Sequence, residues 1–420
     1  MTKIVDVLAQ KNQGVGAHVV SIGLVLDSGQ IGWGDCVDLV TEDDLLLAAV
    51  QQYVVPLLKG RELGSFRPIS AEIEALTETI TLVETIHHPT PPKKSGVSRR
   101  KIFTLQWEPE QPPAPPPTVR ESYEYRPIFP SVRHGASQAV LSALALAQQL
   151  PIAEIIRREY NLPVPTQTTP TLPFLKMRQL NAAKRLMAYR PSSIGFEIEG
   201  TDFDAQLGTN GTVLKNALTR LCHESSGAVP PFKFGSTFYF RVNGGIGVQQ
   251  GQSNGKVLGQ LFVLHKQTKP YRLLIEDPIV HGDFDEHLKQ NGRFKKLVKM
   301  RKIDRILVAR QYADSLEQIK AMIDAEMTHL IYLDPQKLGS VGIMITALQH
   351  CREAEIGVIW GGSSAETTLS AQISAQIVMA VQPDFVVTKP ATQVGLTSMQ
   401  NDMARILQWM EHNQINKVVV

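Results

Sequence analysis

The run Tyr271-Arg272-Leu273-Leu274-Ile275-Glu276 is apolar through its middle and closed by a carboxylate, and an amphipathic stretch at 284–299 follows it. The same unit recurs. Short β-branched runs lie at Thr237–Val242, Asp304–Ala309, Thr328–Leu333, Ile356–Trp360 and Asp384–Thr388, with helix-patterned stretches at 315–326, 341–355, 365–382 and 400–412. A strand-then-helix repeat of roughly 25–30 residues implies parallel strands joined by right-handed crossovers. Residues 163–420 have room for roughly seven or eight such units, which predicts a (β/α) barrel of the TIM type over an open sheet. Chemistry in such a barrel gathers at the C-terminal strand ends. Those ends carry Arg241, Glu276, Arg310, Asp334, the loop Gly361-Gly362-Ser363-Ser364-Ala365-Glu366-Thr367, and Lys389.

Upstream the pattern differs. Residues 3–9 and 17–26 alternate in the strand manner, and Asp27-Ser28-Gly29-Gln30 reads as a hairpin turn into Ile31–Val37. Thr41 before Glu42-Asp43-Asp44 reads as an N-cap with an acidic first turn, and Pro68–Thr85 has helical apolar spacing. Ser137–Leu150 is alanine- and leucine-rich and strongly helical. Strands followed by helices predict an α+β cap domain. We place it at residues 1–88 and 131–162, with an insertion at 89–130 and the barrel at 163–420.

The insertion holds 11 of the 26 prolines, and its seven lysines and arginines against four glutamates equal the net charge of +3 for the whole chain. Proline fixes its own φ and gives no N–H, so the window reads as a polyproline-like loop. Two readings stay open: a flexible insertion, or an arm that docks a protein partner or an acidic surface. The basic cluster is too short to argue for nucleic acid. With 420 residues, 43% of them hydrophobic and 20% charged, the chain has material for a large core. Cys36, Cys222 and Cys351 lie too far apart for a thiolate zinc knuckle or a disulfide framework. No run approaches the roughly 18 apolar residues of a membrane span, and a cytoplasmic protein is expected.

Local strings sharpen the fold. Val25–Gln30 with Gly34-Asp35-Cys36, His134–Ala139, Ala153–Asn161, Leu273–Pro278, Gly361–Thr367 and Val386–Pro390 run in order along the chain. Together they resemble the methylaspartate ammonia-lyases of the enolase superfamily. The resemblance implies an enolase-like N-terminal α+β cap on a barrel, and a homodimer. It also implies elimination of ammonia from 3-methylaspartate. In that chemistry Mg²⁺ is held by three carboxylates at consecutive strand ends, a lysine is the base, and a histidine faces it.

Carried over position by position, the resemblance puts Arg241 and Arg310 at the first and third metal-ligand positions, with Glu276 retained at the second. Asp334 stands at the lysine position, with Lys337 out of phase. Phe174, after Leu172-Pro173, stands where the family has its histidine. Stretches between Val7 and Val19 and between Gln167 and Leu172 are shortened, the first being the family's loop over the pocket. Gln167, Ser363 and Ser364 match substrate-contacting positions, and Lys389 is a further candidate anchor. Three carboxylates, a dication and a lysine sum to zero; so do Arg241, Arg310, Glu276 and Asp334. The substitutions are coordinated. Guanidiniums satisfy carboxylates bidentately but cannot ligate a metal, so no cofactor is expected.

Other candidates are weaker. His87-His88 lack carboxylate partners, His281 and His287 are read as part of a solvated loop and helix start, Gly244–Gly247 matches a family turn, and Cys36 is read as buried. The favoured expectation is a non-catalytic homologue acting as a binding, scaffold or regulatory subunit. The alternatives are a metal-independent lyase or isomerase clamping a small anion between Arg241 and Arg310, and a methylaspartate ammonia-lyase by overall similarity.

Overall fold

Eight parallel strands close into a barrel in the computed structural model, which describes residues 2–13, 16–86, 116–189, 191–226, 236–303, 306–363, 365–389 and 392–418. In chain order the strands are Thr171–Leu172 with Phe174–Lys176, Ser193–Glu197, Thr237–Arg241, Arg272–Glu276, Leu307–Ala309, Leu330–Leu333, Gly357–Trp360 and Phe385–Val387. Pro173 splits the first strand because it has no N–H to give the ladder. Its carbonyl still accepts from Gly195 N at 2.8 Å. Thr171 and Leu172 pair with the eighth strand and Phe174–Lys176 with the second, so the ring closes through the break.

Side chains alternate across this sheet as the pleat requires. Leu172, Phe174, Tyr239, Leu274, Val308, Leu330, Tyr332, Ile359 and Val387 form one buried cluster inside the barrel. Alternate residues such as Ile194, Phe196, Phe238, Phe240, Leu273 and Ile275 belong to a second cluster under the surrounding helices. Several of those helices start where a side-chain oxygen takes up an orphan N–H. Asp283 accepts from Glu286 N, Ser315 from Gln318 N, Ser340 from Ile343 N and Thr367 from Ser370 N.

In the cap, Ile4–Gln13, His18–Leu26 and Ile31–Asp38 form an antiparallel sheet. Helix Pro130–Gln148 lies across it at glycine distance: a Cβ on Gly34 would sit 2.2 Å from Gly135 O, and one on Gly135 would sit 2.6 Å from Cys36 Sγ. Cys36 is buried, as expected. Cap and barrel form one compact unit, Met1–Leu76 with Phe129–Val420. They are joined by Ser137 Oγ accepting from Val341 N at 2.9 Å and Gln336 Nε2 donating to Val37 O at 3.3 Å.

Several expectations are corrected. The helix expected over Pro68–Thr85 runs Phe66–Glu74, and Thr77–Ile86 is a strand. It pairs antiparallel with Thr118–Pro127, inside the window read as polyproline-like loop, and Thr77–Ile128 forms a second compact unit. The reason is β-branched content: Thr79 opposes Tyr125 and Thr81 opposes Tyr123, while Glu78 faces Arg126 and Glu84 faces Arg120. Residues 89–115 of that window, and His87-His88, lie outside the described residues. Thr41 caps nothing, since the helix Asp43–Ala49 begins after Glu42. His287 is buried, not solvated, with its ring 5.0 Å from that of Tyr312. The barrel's first two strands, which have no clear β-branched run, had no counterpart in the sequence reading. Among the described residues no single helix is long and apolar enough to cross a membrane.

Candidate functional site

Two residues beyond the inner apolar layer, the strands of the barrel carry charges. Lys176 follows Phe174, Glu197 follows Gly195, Arg241 follows Tyr239, Glu276 follows Leu274, Arg310 follows Val308 and Asp334 follows Tyr332. The signs alternate from strand to strand. Lys176, Glu197, Arg241 and Glu276 are lateral register partners across three strand pairs. Lys176 Nζ lies 2.5 Å from Glu197 Oε1, Arg241 Nη1 3.1 Å from Glu197 Oε2, and Arg241 Nε 2.6 Å from Glu276 Oε1. Arg310 Nη2 lies 2.8 Å from Asp334 Oδ2.

Glu276 is fully buried, and its second oxygen accepts from the Tyr239 hydroxyl. Burial and then the Glu276 charge push the Tyr239 pKa well up, so its proton stays in place to be donated. For Arg241, burial opposes the charge most strongly, but Glu276, Tyr332 and Tyr239 together outweigh it and the pKa ends well above the ordinary arginine value. Burial and then Arg241 work against Arg310 too, and Asp334, Glu276 and Tyr332 together prevail there. The Arg241 guanidinium lies 4.7 Å from the Phe174 ring centre and 4.9 Å from that of Tyr332, in cation–π contact with both. Asp277, at φ 46°, turns its carboxylate onto Arg310 N and Gln311 N at 3.1 and 3.0 Å, which pins the loop after the fifth strand. Burial and then the adjacent Glu276 charge push Asp277 up to about 7.

A cavity of about 500 Å³ opens over this ring, lined by Lys176, Glu197, Arg241, Arg310, Asp334 and Thr388 among others. Phe174 and Ser363 also line it. Ser364 lies outside the described residues. Gln167 does not line the cavity: it sits on an exposed bend ahead of the first strand. Lys389 is fully buried beside the cavity, not in it, with Nζ 2.9 Å from Glu366 Oε1 and 3.1 Å from Ser374 Oγ. The anchor role weighed for it gives way to an internal ion pair. Sequence reasoning missed Tyr239, Tyr332, Lys176 and Glu197. The two-residue parity of each strand was the available signal for all four.

These features can be set beside known proteins. The model described as the methylaspartate ammonia-lyase C-terminus matches residues 200–412. The chain belongs to the methylaspartate ammonia-lyase family. Methylaspartate ammonia-lyase 2 of Carboxydothermus hydrogenoformans is 24% identical over 405 residues, covering 93% of this chain and 86% of that one. The enzyme of Clostridium tetanomorphum is 22% identical over 400 residues, covering 92% and 86%. In structure, the Mg-complex of β-methylaspartase from Clostridium tetanomorphum superposes with a TM-score of 0.79 at 19% identity, over 98% of this chain and 100% of that one. A mandelate racemase/muconate lactonizing enzyme from Roseiflexus gives a TM-score of 0.62 at 14% identity, over 92% and 88%. The cap-and-barrel plan of the enolase superfamily expected from the sequence is thereby established.

Beside the ring, the cap supplies His134. Its Nδ1 lies 3.0 Å from Gly339 O, which sets the neutral tautomer with the proton on Nδ1, and among the described residues its buried Nε2 has no hydrogen-bond partner. Burial, aided by the nearby Lys389 and opposed by Glu366, pushes its pKa down to about 4. The unfolded chain takes up this proton near the ordinary value of about 6.5. Between those two values the unfolded state binds more protons, so stability falls as pH is lowered. His134→Gln should therefore flatten the loss of stability between about pH 6.5 and 4, by up to about 3 kcal/mol. Denaturant melts of both proteins across that range give the answer, and parallel pH profiles would contradict it.

Proposed function

We propose that this chain is a non-catalytic member of its family, acting as a binding, scaffold or regulatory subunit without the magnesium ion of the family's chemistry. The observation that carries the proposal is the Arg241 guanidinium seated on Glu276. Mg²⁺ requires near-octahedral oxygen ligands at about 2.0–2.1 Å, whereas a guanidinium offers five donors and no acceptor. Arg241 Nε and the Tyr239 hydroxyl already engage the two Glu276 oxygens. A dication at the family position would also face the positive charge of Arg310. The residues present do not fit the ion.

The proton-transfer positions support the same reading. Asp334 accepts from Arg310 Nη2 and from Gln336 N at 3.1 Å, so both oxygens hold a side chain and a helix start. Phe174 has no proton to exchange. Without a Lewis acid on the developing enolate, a C–H beside a carboxylate is too weakly acidic to be removed.

Purified protein given 3-methylaspartate with Mg²⁺, and separately with EDTA, should form no mesaconate by its ultraviolet absorbance. Turnover that needs Mg²⁺ would establish the plain ammonia-lyase reading instead. Turnover in EDTA would favour the metal-independent lyase, for which the cations facing the cavity are the supporting feature.

The proposal extends to a protein partner docking through residues 89–130. Thr77 and Pro127 are cross-strand partners, so their Cα atoms stand about 5 Å apart. Residues 78–126 can then be replaced by a short glycine-serine linker. The excised protein should keep its melting temperature within a few degrees and lose partners that co-purify with the intact chain. An unchanged partner set would remove the docking role.

A further inference from the structure

Charge is unevenly spread over the helices of the barrel. The helix Phe284–Met300 and the turn after it carry seven lysines and arginines between Lys289 and Lys302, and no acid, in a chain whose net charge is only +3. His287, Asn291, Phe294 and Val298 are buried against the core. Lys289, Arg293, Lys296 and Met300, spaced i, i+4, i+7 and i+11, therefore form one stripe on the opposite side. All four are exposed, as are Arg301 and Lys302 beyond the helix end. Lys289 Nζ lies 4.0 Å from Glu286 Oε2, whereas Arg293, Lys296, Lys299, Arg301 and Lys302 have no ion pair among the described residues. Asp324 and Glu326 flank Ala325, whose carbonyl oxygen would lie 2.8 Å from a Cβ on Gly292, so these acids border the stripe on one side. Exposed Lys266, Lys269 and Arg272 lead into the strand Arg272–Glu276, which runs parallel to Leu307–Ala309. They therefore enter at the same end of the barrel as Arg301 and Lys302.

We infer that the outer side of this helix docks the protein on an anionic lipid bilayer. A cluster of roughly four to eight basic residues on an amphipathic helix suits the negative potential of such a surface. A helix packed on a barrel presents a convex stripe, which meets a plane along its length; from Lys289 to Met300 that length is about 16 Å. Nucleic acid is the competing polyanion, and two observations favour lipid. Single strands bind on aromatic platforms, whereas Phe294 is buried and Phe284 is half-buried beside the Tyr312 ring. Met300 stands 78% exposed amid the cations. Its thioether chain gains by entering the acyl boundary and gains nothing from phosphodiesters. The apolar side of the helix is committed to the core, so the attraction is mainly electrostatic and salt must weaken it. The inference does not depend on what occupies the barrel mouth.

The test is co-sedimentation of the full-length protein with phosphatidylcholine vesicles, plain or containing about one-third phosphatidylserine. At about 0.1 M salt the protein should bind the mixed vesicles and not the plain ones, and at about 1 M salt the binding should be lost. Arg293→Gln with Lys296→Gln should weaken it about thirtyfold, at about fivefold per cation. Met300→Gln should weaken it about fivefold. Lys184→Gln with Arg185→Gln removes the same charge from another exposed helix and should change nothing. Thermal melts verify that each variant is folded. No binding to the mixed vesicles, or binding unchanged by the Arg293 and Lys296 pair, would overturn the inference. Equal losses from the two double variants would reduce the effect to net charge and overturn it as well. A short DNA duplex bound more tightly than the vesicles, and weakened by the same Arg293 and Lys296 pair, would overturn lipid in favour of nucleic acid.

Discussion

The fully buried Glu276 carboxylate and the Arg241 guanidinium at 2.6 Å organise the barrel mouth. Removing one partner from a buried pair leaves an uncompensated charge, typically at a cost of about 3–5 kcal/mol. The neighbours therefore have to match. Lys176, Glu197, Arg241 and Glu276 alternate in sign on adjacent strands, and Arg310 with Asp334 continues the alternation. On the seventh strand the series breaks at Gly361, where a Cβ would meet Leu333 O and the Tyr332 ring at 2.4 Å. Gly362, at φ 151°, leaves room for Lys389, which pairs inward with Glu366.

Much of this architecture was legible before the structure. The last six barrel strands announce themselves because a parallel strand buried on both faces must be a short β-branched run, and a polar residue ending such a run marks its C-terminal end. Arg241, Glu276, Arg310 and Asp334 were legible for that reason. The first strand was hidden by Pro173, which breaks the run, and the second, Ser193–Glu197, has only Ile194 as a β-branched residue. With those strands went Lys176 and Glu197, half of the ring's links to Arg241's side of the mouth.

Other features depend on distances that no local pattern encodes. Gln167, expected in the pocket, sits on an exposed bend ahead of the first strand and does not line the cavity. Lys389 looked like an anchor because it ends a strand; its partner Glu366 comes from the preceding loop, and only the packing of that loop discloses the pair. The strand pair of Thr77–Ile86 and Thr118–Pro127 is separated by the proline-rich segment, which drew the reading toward loop across the whole window. Threonine and tyrosine alternation was the better guide there.

The family relationship and the ring point in different directions, and the ring concerns chemistry directly. Shared ancestry accounts for the cap and the barrel; which atoms face Glu276 decides whether a Lewis acid can sit there. The most direct measurement is anomalous diffraction from crystals grown in millimolar Mn²⁺, a scatterer that stands in for Mg²⁺. The account predicts no anomalous peak within bonding distance of Glu276, with the Arg241 guanidinium still on its carboxylate. A strong peak coordinated by Glu276, with Arg241 and Arg310 swung aside, would contradict it.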